Sequence, residues 1–239
     1  MEDKQTGIFL TQKLQHYFSI PVWCFSCKKY ISSELKSPSP YLCSICYQKL
    51  PFAEKALCPK CGLKHSLISC RSTWATDITQ FNAIFNYQEP ISGWISNLKY
   101  FRNLFAGKIL QQLIANWFSQ HQLMLETIDV LLPVPLHSTR LHWRSFNQAV
   151  YLLKKQQQLP VSSNILKRIR KTPHQAGLSK ENRNQNMENA FRVKKSLNKT
   201  SVLFFDDVCT TGTTIGELCQ VLKAAGVENI HVLTLARVI

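Results

Sequence analysis

The chain has 239 residues, which suits one large domain, or a domain of ordinary size with a small module. Apolar residues make up 45% of the sequence, so neither intrinsic disorder nor low complexity describes the whole chain. No run approaches the roughly eighteen consecutive apolar residues of a membrane-spanning helix. No apolar segment of signal-peptide length follows the polar start. The sequence therefore predicts a cytoplasmic protein without membrane insertion.

Positive charge is concentrated in one part of the chain. The 29 Lys and Arg residues outnumber the 14 Asp and Glu residues and leave a net charge of +15. Residues 137–200 contain fourteen of the basic residues and two of the acidic ones. So concentrated a field attracts polyanions, which makes this stretch a candidate surface for phosphate-bearing partners. A solvated surface without a partner explains the same composition.

Seven of the nine cysteines lie between residues 24 and 70. Cys24 with Cys27 and Cys43 with Cys46 form two C-x2-C pairs, and two such turns supply the four thiolates of a tetrahedral zinc site. A reducing cytosol favours metal binding over disulfides. The alternatives are a redox-active pair or buried free thiols. A redox pair normally lies beside a strand–helix unit, and no such unit is evident here.

A third pair, Cys58 and Cys61, is followed by His65 and Cys70. Three thiolates and one imidazole could bind a second zinc ion, although His65 is equally compatible with an exposed loop. This part of the chain is rich in turns and prolines and has little core, so metal binding would supply much of its folding free energy.

The rest of the chain alternates strand-like and helical patterns, with no clear period over 170–200. In chain order, strands are predicted over 81–87, 130–134, 165–169, 202–205 and 231–235, and helices over 92–121, 145–159 and 214–225. Strands that alternate with helices predict a parallel sheet with flanking helices, which is the α/β class. We predict a zinc-binding module over residues 1–78 and an α/β domain over residues 79–239.

The segment after the strand at 202–205 carries the clearest chemistry. Asp206 and Asp207 follow that strand, and a loop of threonine and glycine leads into a helix. Backbone N–H groups in such a loop form an anion cradle, and Gly212 permits a close backbone approach. Paired carboxylates repel phosphate but suit vicinal hydroxyls or a divalent metal. Together they describe a ribose 5-phosphate site, whereas a simple capped helix leaves the two aspartates unexplained.

This segment resembles the phosphoribosyl pyrophosphate (PRPP) signature of the type I phosphoribosyltransferases. The resemblance implies that the acidic pair binds the ribose hydroxyls, that the loop wraps the 5-phosphate, and that Mg²⁺ accompanies PRPP. A lysine after a helix matches the family's pyrophosphate-binding position, although it could also be one lysine of an amphipathic helix. The PRPP-binding residues implied are Lys99, Asp206, Asp207, Cys209, Thr210, Thr211, Gly212, Thr213 and Thr214.

The wider chain is similar to the ComF family of competence proteins over roughly residues 22–237. Besides the first two cysteine pairs, the matching residues are Leu98-Lys99-Tyr100, Pro133-Val134-Pro135, Arg144 to Gln148, Gln175, Arg183 with Asn186, and Ala190-Phe191. Two departures stand out. Ser145 occupies a position where the family usually has glycine, and the third and fourth pairs supply three cysteines instead of four. The second departure leaves the second metal site open.

Two functions of different classes fit these residues. The resemblance implies a competence protein that handles incoming single-stranded DNA in natural transformation, with a DNA-uptake helicase as a candidate partner. The alternative is a metabolic phosphoribosyltransferase that uses PRPP and an unknown nucleophile. Thr210 stands where hypoxanthine-type enzymes carry an aspartate that helps to deprotonate the base, so no general base is visible in the loop. No catalytic residue is assigned, and whether the chain is an enzyme stays open.

The basic stretch favours the DNA-handling function. Cations alternate with Trp143 and Phe146 between residues 140 and 147. Cations track phosphates, and aromatic faces stack on unpaired bases. The same aromatic residues would serve equally well as core residues at a helix start. The predicted DNA-binding residues are Arg140, Arg144, Lys167, Arg168 and Arg170, and Lys171 extends the charge.

Overall fold

The computed structural model describes residues 22–31, 37–54, 57–65, 70, 72–170, 190–194, 197 and 200–239. The chain divides into two compact units, Met1–Lys49 and Leu50–Ile239. Residues 50–78 are therefore grouped with the second unit, and the functional boundary between residues 78 and 79 stays a prediction. Four residues singled out in the sequence lie outside the described residues, namely Lys171, Gln175, Arg183 and Asn186.

The first unit holds the first two cysteine pairs. A bridge between Trp23 and Tyr30 closes the turn that contains Cys24 and Cys27. Helix α1 (Ser44–Gln48) begins directly after Cys43. In the described part of this unit, the buried residues are Cys24, Ser39, Leu42 and Cys43. Cysteine side chains therefore form much of its interior.

The second unit is built on a four-stranded parallel sheet. Its strands are β1 (Gln80–Asn86), β2 (Val130–Pro133), β5 (Ser201–Cys209) and β6 (Asn229–Arg237), in the spatial order β1-β6-β5-β2. Two short strands, β3 (Leu166–Arg168) and β4 (Phe191–Val193), form a separate antiparallel pair. The inner strand β6 is buried along nearly its whole length, as expected for a parallel strand covered on both faces. The predicted α/β class with a parallel sheet is confirmed.

Helices alternate with these strands. They are α2 (Ile91–Phe101), α3 (Leu104–Gln120), α4 (Gln122–Leu125), α5 (Ser138–Arg144), α6 (Gln148–Leu152) and α7 (Thr213–Ala224), with 3-10 turns at Thr73–Ala75 and Leu153–Lys155. No helix within the described part of the chain is both long and apolar enough to cross a bilayer.

The single helix predicted over 92–121 is interrupted near its first third. Arg102 adopts the left-handed conformation, with φ of 53°, and ends α2. The Asn103 side chain then caps α3, because its Oδ1 accepts hydrogen bonds from the backbone N–H groups of Phe105 and Ala106 at 3.1 and 3.0 Å. Helical periodicity continues across this break, which is why the apolar pattern does not reveal it.

The helix predicted over 145–159 is also divided. Ser145 has φ of 66° and ends α5, a helix that the sequence pattern did not predict. Asn147 caps α6, because its Oδ1 accepts a hydrogen bond from the Ala149 N–H at 2.9 Å, and its Nδ2 donates to the Val134 carbonyl at 3.0 Å. A left-handed backbone favours glycine, which gives the usual family residue at position 145 a physical reason.

The third cysteine pair belongs to the apolar core of the second unit. Cys58 and Cys61 are buried in one cluster with Phe204 of β5 and Ile215 of α7. The Phe81 N–H, in β1, donates to the carbonyl of Pro59, between these cysteines, at 2.6 Å. The cysteine turn is therefore packed onto the sheet by both apolar contacts and a backbone hydrogen bond.

Candidate functional site

The acidic pair lies near the carboxyl end of β5, where ligand sites of parallel sheets form. The strand extends past the predicted end at residue 205 and includes both aspartates. The Asp207 N–H donates to Asp206 Oδ1 at 2.8 Å. Lys99 Nζ forms an ion pair with Asp207 Oδ1 at 2.8 Å, and these two side chains are only 17% and 14% exposed. The structure thus brings together two predicted site residues that are 108 positions apart.

Charge compensation around the acidic pair is incomplete. Burial raises the pKa of Asp206 to about 7, and the neighbouring Asp207 adds to the increase, whereas Lys99 and Arg168 act against it. The increase means that the ionised carboxyl is poorly stabilised. A divalent cation, or the hydroxyl donors of a ribose, would stabilise it. The donor set therefore fits Mg²⁺ together with a sugar.

A cleft of about 410 Å³ opens over the acidic pair. This volume lies within the range of about 300–1,000 Å³ that is typical of small-molecule sites. The lining includes Tyr87, Lys99, Tyr100, Val134, Pro135, Leu136, Arg140, Arg144, Asn147, Gln148, Ala149, Arg168, Asp206, Asp207, Val208, Thr210 and Thr214. Four cations therefore share the cleft with two carboxyl groups, which suits an anionic ligand.

The arginines in this cleft affect one another. Burial lowers the pKa of Arg168 to about 10, the charge of Arg140 lowers it further, and Asp206 acts against both. Burial, followed by the charge of Arg144, also lowers the pKa of Arg140. Crowded cations raise the free energy of the empty cleft and are stabilised when an anion binds.

The five residues predicted to bind DNA divide into two groups. Arg140, Arg144 and Arg168 line the cleft. Arg144 and Arg168 are each 8% exposed, so they face the cleft interior rather than open solvent. Lys167 and Arg170 are exposed and lie outside the lining. The structure therefore places most of the predicted DNA-binding residues beside the predicted PRPP-binding residues.

The loop after β5 encloses a smaller cavity of about 50 Å³. The cavity is lined by Asp206 and by residues 208–215 at the start of α7. The hydroxyl oxygens of Thr211 and Thr213 lie 2.9 Å apart. Hydroxyl donors and free N–H groups at a helix N-terminus are suited to a phosphate. Cys209 contributes backbone here, since its side chain is buried and burial raises the pKa of its thiol to about 12.

Close packing against the loop is a second reason for glycine at position 212, besides the close approach of a ligand to the backbone. Gly212 has φ of 83°, in the left-handed region that favours glycine. A Cβ at this position would overlap the indole of Trp74, and a Cβ at Gly216 would come within 2.7 Å of the Trp74 Cβ. The Trp74 side chain therefore packs closely against the loop and does not line the cavity.

The sequence analysis did not identify Arg237, which forms hydrogen bonds with backbone carbonyls of the same loop. It ends β6 and is 2% exposed. Its Nη1 donates to the carbonyls of Cys209 at 3.0 Å, of Thr210, and of Val238 at 2.9 Å. Its Nε donates to the Cys61 carbonyl at 3.2 Å. A charged residue at the end of an apolar strand was the signal in the sequence that could have revealed it.

The first two cysteine pairs form one group of candidate metal ligands. The Sγ atoms of Cys24, Cys27, Cys43 and Cys46 all lie within 4.8 Å of one another, and those of Cys27 and Cys43 are 3.9 Å apart. A tetrahedral zinc ion with Zn–S bonds of about 2.3 Å requires sulfur atoms about 3.8 Å apart. Burial acts to raise the pKa of Cys24, but backbone hydrogen bonds outweigh it and lower this pKa to about 7, which favours the thiolate.

The second group contains the histidine that the sequence left open. The candidate ligand atoms of Cys58, Cys61, His65 and Cys70 all lie within 4.8 Å of one another. His65 Nε2 is 3.1 Å from Cys61 Sγ. The imidazole thus occupies the place of the missing fourth cysteine, and each of the two groups could hold a metal ion.

Comparison with solved structures finds matches of low similarity. A hypoxanthine phosphoribosyltransferase from Staphylococcus aureus is 15% identical with a TM-score of 0.36, over 55% of this chain and 64% of that chain. An allosteric regulatory enzyme of purine biosynthesis is 18% identical with a TM-score of 0.30, over 51% of this chain and 26% of that chain. The match spans less than two thirds of either structure. No family model matches the sequence.

Comparison with curated proteins finds relatives over most of the chain. DNA utilization protein YhgH of Shigella flexneri is 31% identical over 210 residues, or 82% of this chain and 90% of that protein. Competence protein ComFC of Streptococcus pneumoniae is 24% identical over 85% and 90%. Competence protein F of Haemophilus influenzae is 33% identical over 224 residues, or 90% of each chain. At this identity and coverage, the chain belongs to the ComF family of competence and DNA utilization proteins.

Proposed function

We propose that this protein handles single-stranded DNA in the cytoplasm during natural transformation and binds PRPP with Mg²⁺ in its cleft. The observation that carries the proposal is the cleft, in which an acidic pair and the threonine-rich loop before α7 adjoin three arginines. The names of the relatives, which are competence and DNA utilization proteins, favour this function over metabolic phosphoribosyl transfer.

The proposed PRPP site assigns one task to each part of the cleft. The carboxylates of Asp206 and Asp207 accept hydrogen bonds from the ribose hydroxyls. The N–H groups and hydroxyls of residues 209–214 donate to the 5-phosphate, and Lys99 lies close enough to the acidic pair to meet the pyrophosphate. Mg²⁺, when bound, would offset the repulsion between phosphates and carboxylates. No described loop residue offers a general base, so the proposal assigns no catalytic residue.

Titration calorimetry with PRPP and Mg²⁺ tests this assignment. We expect the wild type to bind and the double variant Asp206→Asn/Asp207→Asn to lose about 2–4 kcal/mol of binding free energy, because charge-assisted hydrogen bonds to both hydroxyls disappear. Glu126→Gln, an exposed carboxyl outside the cleft lining, serves as the control for a lost negative charge. Equal affinity in the wild type and the double variant would show that the acidic pair does not bind the ribose.

Anisotropy measurements with labelled single-stranded oligonucleotides test the DNA function. If about five phosphates are neutralised, the slope of log affinity against log salt should be roughly −3.5, at about −0.7 per phosphate. Lys167→Ala with Arg170→Ala should weaken binding equally for different base sequences and flatten the slope by about 1.4. A protein that binds PRPP tightly but no DNA at about 50 mM salt would instead support a metabolic phosphoribosyltransferase.

The remaining parts of the proposal concern the metal, the domains and the partners. We infer that zinc is the ion bound by both cysteine groups, since thiolate and imidazole ligands in tetrahedral number select zinc. The zinc-binding region, predicted over residues 1–78, precedes a phosphoribosyltransferase-like domain over residues 79–239. A DNA-uptake helicase is the candidate protein partner. Elemental analysis that finds no zinc in freshly reduced protein would contradict the metal assignment.

A further inference from the structure

One side of the cleft has donors that the PRPP assignment does not use. Arg144 ends α5 and Gln148 begins α6, and both side chains line the cleft. Arg144 is 8% exposed and Gln148 is 1% exposed. Within the described part of the chain, Arg144 Nε and Gln148 Nε2 are buried and have no hydrogen-bond partner. Leaving buried donors unsatisfied is costly. Both residues line the cleft, so turning these side chains toward a ligand's acceptor oxygens would satisfy the donors.

Exposed aromatic rings lie at the rim beside these donors. Tyr100 lines the cleft and is 49% exposed, and Trp143 is 60% exposed. Their ring centroids are 6.5 Å apart, and the Arg144 guanidinium lies 5.5 Å from the Tyr100 ring centroid. Arg102 Nη2 donates to the Trp143 carbonyl at 3.1 Å and joins the end of α2 to the end of α5. Trp143 is therefore a surface residue, and the alternative that it belongs to the core is excluded.

We propose that this side of the cleft is a subsite for one nucleotide of single-stranded DNA. The phosphate lies at Arg140, Arg144 and Gln148, and the base stacks on Trp143, the more exposed of the two rings. This inference rests on the proposed function and adds to it the place where the strand enters the cleft. It also joins the two groups of predicted residues, because DNA then lies beside the acidic pair.

The composition of the subsite selects its occupant. A phosphate in the cleft compensates the charge of the crowded arginines and offers acceptor oxygens toward which Arg144 and Gln148 can turn. A nucleobase presents a flat face to the Trp143 ring, with the tilted Tyr100 ring beside it, and such stacking tolerates any base sequence. An apolar peptide would cover the rings but would offer no acceptor to Arg144 Nε or to the Gln148 amide. The combination of cations and exposed rings therefore fits a nucleotide.

Two variants and one matched control test the subsite by anisotropy with a labelled thymidine 12-mer. We expect Trp143→Ala to weaken binding about tenfold through lost stacking. We expect Gln148→Leu to weaken binding several-fold while the melting temperature stays unchanged or rises, because an unsatisfied buried donor is removed. A merely structural glutamine would show no such combination. Leu123→Ala removes a side chain that is 83% exposed, lies outside the cleft lining and should change nothing.

A third variant measures whether the strand approaches the acidic pair. Asp206→Asn should strengthen binding of the 12-mer, because a carboxylate next to the bound phosphate is neutralised. If Trp143→Ala and Gln148→Leu both bind DNA within twofold of the wild type, the subsite is overturned while the DNA function stands. If the wild type itself binds no single-stranded DNA, the proposed function and the subsite are both overturned.

Discussion

The two cysteine groups share a ligand chemistry but differ in their surroundings. In the first unit, Cys24 and Cys43 form much of a small interior. In the second unit, Cys58 and Cys61 are buried in the same cluster as the sheet and α7. A metal in the first group would hold together a small module that has little core of its own. A metal in the second group would fix one segment of a domain that already has a large core.

The second group is also connected by hydrogen bonds to the loop that follows β5. The Cys61 carbonyl accepts a hydrogen bond from Arg237, which also donates to the carbonyls of Cys209 and Thr210. Trp74 lies close to the Arg237 guanidinium and supports the loop at Gly212. The Cys58–Cys61 pair is therefore linked through Arg237 to the loop after β5, whereas the first two cysteine pairs belong to a separate unit.

The largest expected effect comes from removing metal ligands of the second cysteine group, which contains Cys58, Cys61, His65 and Cys70. Cys58→Ser with Cys61→Ser should lower the zinc content by one equivalent and the PRPP affinity by at least tenfold, because the backbone that anchors Arg237 loses its support. Structural zinc sites bind with about 10–16 kcal/mol of apparent free energy, so losing one is a large change. Elemental analysis and calorimetry measure the two effects. Unchanged PRPP affinity in a zinc-depleted variant would show that the connection carries no energy.

Removing metal ligands of the first cysteine group should affect the folding of the first unit and leave the second unit unchanged. Cys24→Ser with Cys43→Ser should release one zinc equivalent and unfold the first unit, because one lost thiolate already opens the tetrahedron. Hydrogen exchange should then show protection lost over residues 22–49 and kept in β5 and β6. PRPP affinity should stay within twofold of the wild type. If PRPP affinity falls as far as in the second-group variant, the distinction between the groups fails.

Arg237 offers an intermediate perturbation that leaves both groups of metal ligands in place. Arg237→Met removes a donor from the carbonyls of Cys61, Cys209 and Thr210, and a buried carbonyl left unsatisfied costs about 1–3 kcal/mol. The Cys209 carbonyl still accepts a hydrogen bond from the Val238 N–H at 3.0 Å. We expect a lower melting temperature and weaker PRPP binding at unchanged zinc content. Arg192→Met, which removes an exposed arginine from β4, is the matched control. If Arg237→Met binds PRPP with wild-type affinity, the hydrogen bonds from Arg237 to the loop are not needed for PRPP binding.

The smallest expected effect comes from the charge of Asp206, at the carboxyl end of β5, and does not involve either group of metal ligands. In the folded protein, burial raises the pKa of Asp206 from its ordinary value of 3.8 to about 7. Between these two pH values the folded state therefore binds more protons than the unfolded state does. The contribution of Asp206 to stability is therefore most favourable at low pH and is lost as the pH rises through about 7. Asp206→Asn should raise the melting temperature more at pH 8 than at pH 5.5.

Comparing the variant with the wild type at each pH cancels the titration of the cysteines, which both proteins share. A difference in melting temperature that is equal at the two pH values would show that burial does not raise the pKa of Asp206. A lowered pKa would give the same equal difference, because Asp206 would then be ionised in both the folded and the unfolded state at both pH values.

Local sequence determined the features that depend on neighbours along the chain. Four apolar residues predict a buried strand, and the acidic pair, the threonine loop and the following helix lie in unbroken succession from Asp206 to Ala224. The C-x2-C spacing likewise predicts that two thiolates point toward one centre. Such patterns are readable because backbone geometry fixes the relation between residues a few positions apart.

Tertiary structure decided which distant residues meet. Lys99 pairs with Asp207 across 108 positions, and Arg237 reaches Cys61 across 176. The strand order β1-β6-β5-β2 places the last strand next to β5, so Arg237 at its end donates hydrogen bonds to the loop that follows β5. Helix breaks at Arg102 and Ser145 turn basic and aromatic residues toward the cleft rim. These relations depend on the packing of the whole core, which no local periodicity encodes.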